Sequence, residues 1–408
     1  MNARRAAVLA ALPLLFLLER AAYYGMRSVL MMHLNGTGMA MAEARSVMST
    51  GAFLVAVTPL LGGILGIFTG PRALIPAGAV VAAVGYLVLG AGGPGSVGVA
   101  MVLIALGGGL FKPGVLGVAG QEMGRDLDTP RAALCLLLYG AINFGAFVSG
   151  VGASAAARDS YTTVFFTSAA LSFVALVVAA GLVAVLQWAG ARPEPAARTL
   201  RAELGGGILI AGVTPLLVAF SVLSAIEFEA METGGGFSGP TSAAWLFSVN
   251  PVVVMAMCGI GATALFVLWY SKIRVPLLYA IAGGFGVFAL GAAVMLLAGQ
   301  PPSLPLVALG SAFTAAGEAI VMPLAMSRVL GVSNHRWTTL AGSLWLMSSG
   351  LFGAVAGFAF TEAPRVGLGL SLLGCLAVGA SLAALARLMN RELFDFTPSP
   401  FARPGAGS

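Results

Sequence analysis

The chain has 408 residues, 59% hydrophobic and only 9% charged, with a net charge of +6. A soluble domain carries about 25% charged residues, so much of this surface must face lipid rather than water. No basic run interleaved with aromatics occurs, which excludes a nucleic-acid partner, and three cysteines and two histidines without ligand spacing exclude a disulfide framework and a metal site.

A helix crosses the hydrocarbon core with about 20 mostly apolar residues. The first such stretch is 7–33, behind Arg4 and Arg5. Its apolar run continues through Glu19, Arg20 and two tyrosines with no small-residue cleavage site, so it reads as a retained span rather than a signal peptide. Further spans follow at 45–69, 73–92, 96–120, 131–156 and 161–188. The most polar interruption, ARPEPAARTLRAEL over 191–204, precedes six more at 206–231, 245–271, 276–298, 304–328, 337–361 and 366–388. The pattern predicts an all-α polytopic membrane protein of twelve transmembrane helices. A six-helix bundle over 1–190 and a second over 205–408, with a short tail, flank a linker at 191–204.

Lys and Arg decide orientation. Of the 21 in the chain, fifteen fall on one side of this topology, among them Arg72, Arg131, Arg328 and Arg387. Three, Arg45, Arg158 and Arg365, fall on the other. Both termini are therefore expected in the cytoplasm. Trp188, Trp245, Trp269 and Trp337 fall at span ends, where an aromatic belt is expected. The halves repeat weakly: Pro59 answers Pro251, Pro113 answers Pro323, and NFGAFVSG from Asn143 answers SGLFGAVAG from Ser349. A parallel repeat of this kind suits a central site between two halves.

Six charges lie well inside spans: Glu19, Arg20, Arg27, Lys112, Glu227 and Glu318, with Glu229 nearby. Each costs about 2.5–3.5 kcal/mol at a helix centre if left unanswered. They must pair or face a polar path. They sit on the first, fourth, seventh and tenth spans, the first of each three-helix unit. Seven residues advance a helix by two turns, so Arg20 and Arg27 share one face about 10 Å apart in height, with Tyr23 and Tyr24 between them. Lys112 precedes Pro113, and Glu318 stands shortly before Pro323, so oppositely charged, kinked helices occupy matching places in the two halves.

ERAAYYGMRSVL from Glu19, VTPLLGGIL from Val57, GGGLFKPGV from Gly107, LYGAINFGAF from Leu138, FSVNPVV from Phe247 and GEAIVMPLAMSRV from Gly317 come in order across most of the chain. Together they resemble the signatures of the proton-dependent oligopeptide transporter family of the major facilitator superfamily. The resemblance implies the major facilitator fold and proton-coupled uptake of di- and tripeptides across the cytoplasmic membrane. It implies that Arg27 binds a substrate carboxylate with Lys112 assisting. Glu318 attracts the amino terminus and pairs with Lys112. Tyr23, Tyr24, Asn143 and Asn250 complete the substrate site. Glu19 and Arg20, with Glu318, take part in proton coupling, and Glu227 or Glu229 gates against Arg27. No cofactor beyond the proton gradient is implied, and the chain is expected to act as a monomer. The chain departs from the family at Phe16, where a first signature glutamate is usual, and at Ala56, where a tyrosine is usual. Those departures leave room for a carrier of another anionic or zwitterionic solute, or for a non-transporting sensor. An enzyme is disfavoured, because neither HExxH nor GxSxG occurs.

Overall fold

The computed structural model describes residues 3–123, 128–156, 160–188, 210–219, 223, 226–227, 240–273, 276–300, 302–332, 337–360 and 363–389. Nearly all of them are helical and none is in a strand. The first series is α1 Ala3–Gly36, α2 Met41–Thr69, α3 Pro71–Ala91, α4 Val97–Glu122, α5 Asp128–Ala156 and α6 Tyr161–Trp188. A short apolar helix, α7 Ile210–Ala219, opens the second series. It continues with α8 Pro240–Tyr270, α9 Leu277–Leu296, α10 Leu304–Val332, α11 Thr338–Ala359 and α12 Pro364–Met389. All but α7 and α11, ten helices, are long and apolar enough to cross a membrane. The chain is a multi-pass membrane protein; its described helices overlap the predicted spans in chain order, and of the seventh, 206–231, only 210–219, 223 and 226–227 are described. The linker 191–204 and Glu229 lie outside the described residues.

Local chemistry sets the breaks. α2 and α3 are joined by one residue, Gly70, at φ 78°, and its N–H closes on the Gly66 carbonyl at 3.1 Å. A side chain would be strained at that φ. Pro71 then opens α3 at the position where a helix needs no N–H.

Helix pairing shows the internal repeat directly. In the first half α3 packs on α4 and α6, and α2 on α4; in the second, α9 packs on α10 and α12, and α8 on α10. Between the halves, α5 meets α8 and α10, while α11 meets α2 and α4. Moving six helices along the chain turns each of these contacts into its partner, as a pseudo-two-fold requires. Lipid offers no hydrophobic drive for helix association, so close approach through small residues must supply it. A Cβ on Gly78 would stand 2.6 Å from the Phe111 nitrogen, across α3 and α4. One on Gly317 would stand 2.5 Å from the Phe288 nitrogen, across α10 and α9.

The side on which α1 begins is termed the near side. There the halves are shut together. Gly63 and Gly66 of α2 and Gly117 and Gly120 of α4 receive Thr338, Thr339 and Ser343 of α11; a Cβ on Gly66 would stand 2.5 Å from the Thr339 methyl. Towards the far end of α1, Arg27 and Ser28 are exposed.

Two near-side cations, Arg4 and Arg131, are buried on helices. Arg4 lies within α1 and grips Glu122 of α4 through two bonds of 2.6 and 2.8 Å, and Arg72 reaches the same carboxylate at 3.0 Å. Arg131 lies within α5 and is 1% exposed. A buried cation persists where its donors are met, and composition alone does not reveal those partners.

The glycine seams give a stability prediction. Gly317→Ala pushes a methyl into the α9 backbone and should cost about 1–3 kcal/mol. Gly286→Ala, with open space around it, should change stability by no more than about 0.5 kcal/mol. Thermal unfolding of the two detergent-purified variants checks the contrast; equal melting temperatures would count against the seam.

Candidate functional site

The polar group of α1 is built around one ion pair. Arg20 holds its neighbour Glu19 with two bonds of 2.5 Å, from Nε and from Nη2, the planar fork that suits a carboxylate. Its guanidinium carbon also lies 4.8 Å from the Tyr23 ring centre and 5.5 Å from that of Tyr24. The two rings meet edge to face at 5.4 Å. Arg20 is thus fixed by charge on one side and by aromatic faces on the other.

Lys112 approaches this pair from α4, where it is buried. One turn earlier is Gly108. A Cβ there would stand 3.2 Å from Glu19 Oε1 and 4.0 Å from Lys112 Nζ. Gly108 therefore keeps clear the space between carboxylate and ammonium. Among the described residues Lys112 forms no direct ion pair.

Glu318 of α10 is answered from both halves. Tyr139 of α5 donates its hydroxyl to Oε1. Asn250 of α8 donates to Oε2 at 3.0 Å. The carboxylate is buried and accepts from a different helix at each oxygen. Pro323 lies five residues further along α10, and Pro113 occupies the corresponding part of α4 beside Lys112. Asn143 turns its amide to the Tyr139 carbonyl of its own helix at 3.0 Å.

Arg27, at the exposed end of the same α1 face, has no ion pair among the described residues. Glu227 instead accepts a bond of 2.6 Å from Ser311 of α10. So the structure brings together Glu19 with Arg20, and Glu318 with Asn250. It leaves Lys112 with Glu318 and Arg27 with Glu227 unformed in this conformation, and the other gate candidate, Glu229, lies outside the described residues. Phe16 lies in the apolar core at 1% exposure.

Two residues were missed from sequence, Tyr139 and Ser311. Tyr139 had a signal, since it stands four residues before Asn143 and shares its helix face. On an apolar helix such a tyrosine reads first as packing. Ser311 had no signal, because its role depends on how α10 meets Glu227.

The Glu318 group predicts a measurable coupling. Hydrogen bonds to charged groups contribute about 1.5–3 kcal/mol. Tyr139→Phe and Glu318→Gln should each lower thermal stability, and the double variant should fall short of their sum by about 1 kcal/mol or more. Strict additivity in this cycle would remove the direct bond.

No family model matches the chain. It is 32% identical over 165 residues to dipeptide and tripeptide permease A of Salmonella typhi, a match that covers 39% of this chain and 32% of the permease. It is 28% identical over 141 residues to the di-/tripeptide transporter of Lactococcus lactis, covering 32% of this chain and 28% of that one. The match thus spans about a third of the length of these curated relatives, which are named as a permease and a transporter. The likeness in fold extends over nearly all of the chain. A peptide transporter POT mutant in complex with alafosfalin matches at TM-score 0.61 and 20% identity, over 94% of this chain and 95% of its own. A bacterial homologue of the human drug peptide transporters matches at TM-score 0.54 and 20% identity, over 95% and 98%. Over part of its length the chain is similar in sequence to curated di- and tripeptide transporters, and over nearly all of it the chain shares the fold of solved peptide transporters.

Proposed function

We propose that the chain is a proton-coupled symporter of di- and tripeptides that works by alternating access in the cytoplasmic membrane. One observation carries the reading: Glu318, a buried carboxylate held by one donor from each half, stands on α10, and α10 touches the helix that bears Lys112. A zwitterion needs an anionic and a cationic anchor, and Glu318 and the Arg27–Lys112 side supply them. Arg27 takes the carboxylate, Lys112 assists, and Tyr23, Tyr24, Asn143 and Asn250 add hydrogen bonds. The names of the curated relatives favour the same substrate class.

Near-side closure together with an exposed Arg27 suits the state open to the far side. In the opposite state Arg27 would find Glu227 and the near side would part. The bias of Lys and Arg supports a cytoplasmic near side, with both termini there. The proton moves through Glu19, Arg20 and Glu318, its gradient is the energy source, no cofactor is needed, and one chain suffices.

A carrier of a different small zwitterion is favoured by one feature. Ala56 of α2 packs on α11, its Cβ 2.6 Å from where a Cβ on Gly350 would stand. No phenol is available there to a peptide backbone.

Uptake of a labelled dipeptide into proteoliposomes, with and without an inward proton gradient, tests the reading. Gradient-independent uptake would end the symport proposal, and no uptake would end the peptide one. Arg27→Lys should weaken dipeptide binding at least tenfold, about 1.4 kcal/mol, because a point charge cannot reproduce the two-bond fork. Glu19→Gln should abolish proton-driven accumulation while peptide exchange without a gradient persists. A Glu19→Gln protein that still concentrates peptide would move the coupling proton to another carboxylate.

A further inference from the structure

Helices α5 and α10 touch at two levels. The upper is the bond from Tyr139 to Glu318. The lower lies about 12–14 Å nearer the near side, by helix rise. There Arg131 Nε donates to the Ser327 carbonyl of α10 at 2.9 Å, and Nη1 donates to the Met123 carbonyl at 3.1 Å. Nη2 reaches Asp128, whose second oxygen takes Arg328 of α10 at 3.4 Å. Arg131 is buried, and a Cβ on Gly331 would stand 2.5 Å from its Cζ.

These contacts divide into two kinds. Met123 and Asp128 belong to the first half and travel with Arg131. Ser327, Arg328 and Gly331 belong to the second half, so every bond to them must break if the halves part on this side. Gly331 is the floor of the seat, because any side chain there meets the guanidinium. The neutral contacts of α2 and α4 with α11 close the same side by shape, but they carry no charge and little direction. Arg131 puts a cation of the first half onto the backbone of the second.

We propose that Arg131, steered by Asp128 and seated over Gly331 on the last turns of α10, is the latch that holds the near side shut and is released when that side opens. It rests on the alternating-access reading. Because α5 and α10 also carry Tyr139 and Glu318, the latch and the candidate site sit on the same two rods.

A native residue reports on the latch. Cys135 lies one turn beyond Arg131 on α5, fully buried and beside Ser327. With Cys258→Ala and Cys375→Ala as background, the rate at which a water-soluble maleimide modifies Cys135 in the purified protein reads the opening of this seam. The parent should react slowly. Arg131→Gln, Arg328→Gln and Gly331→Ala should each react at least tenfold faster, the last without removing any charge. Gly286→Ala should match the parent. If Arg131→Gln fails to fold, Arg328→Gln and Gly331→Ala carry the decision. Rates within twofold of the parent in those two variants would overturn the latch. So would acceleration in Arg131→Gln alone, which marks a staple local to α5. The assay uses neither peptide nor gradient, so failure of the transport reading would show separately, as absent uptake with intact latch behaviour.

Discussion

A charge inside hydrocarbon has to be answered by another charge, by directed donors or by water, and this constraint organises the bundle. The backbone meets the same demand by forming helices. The side chains meet it at distinct levels. On the near side Glu122 gathers Arg4 and Arg72, and Asp128 gathers Arg131 and Arg328. Midway along α1, Glu19 is closed on Arg20; on α10, Glu318 rests on Tyr139 and Asn250. Left unanswered, each would cost about 2.5–3.5 kcal/mol, and a handful would exceed the whole net stability of a typical protein.

Two kinds of contact divide the work. Within a half, α3 with α4 and α9 with α10 bring backbone to within one missing methyl of backbone. Such seams are rigid, since opening them leaves voids that neither lipid nor water fills well. Between halves, many contacts are hydroxyls set against glycines, or single directed bonds such as Tyr139 to Glu318 and Arg131 to Ser327. Bonds of that kind are exchanged for water or for another partner at small net cost. The close contact of Ala56 with Gly350 belongs to the first kind while lying between the halves.

Hydropathy made the spans legible, and the positions of Glu19, Arg20, Lys112 and Glu318 within them followed. Their partners were not legible. Whether Lys112 finds Glu318 or stands beside Glu19 depends on helix approach of a few ångströms, which Gly108 sets locally and α4–α10 packing sets globally. Arg131 stood at the first position of the expected span 131–156, where a cation reads as an interfacial charge. Its burial depends on α5 starting at Asp128 and on a glycine two hundred residues away in the chain. Tyr139 was hidden by the ordinary use of aromatics in packing. Glu229 and the linker 191–204 fall outside the described residues.

The environment of Glu19 bears on how coupling can work under the symport reading. Both of its oxygens are occupied by Arg20. A proton arriving there must displace a guanidinium that is itself held by two aromatic faces. One turn before Glu19, where a second carboxylate would relay the proton, Phe16 is packed into apolar core. Relay along α1 is therefore closed at this level. The cation positioned to take over from Arg20 is Lys112, across the space that Gly108 keeps free. Exchange between Arg20 and Lys112 at one carboxylate needs no second acid. Under that reading a single carboxylate at this level, with Glu318 buried on α10, leaves the proton to groups that substrate binding itself rearranges.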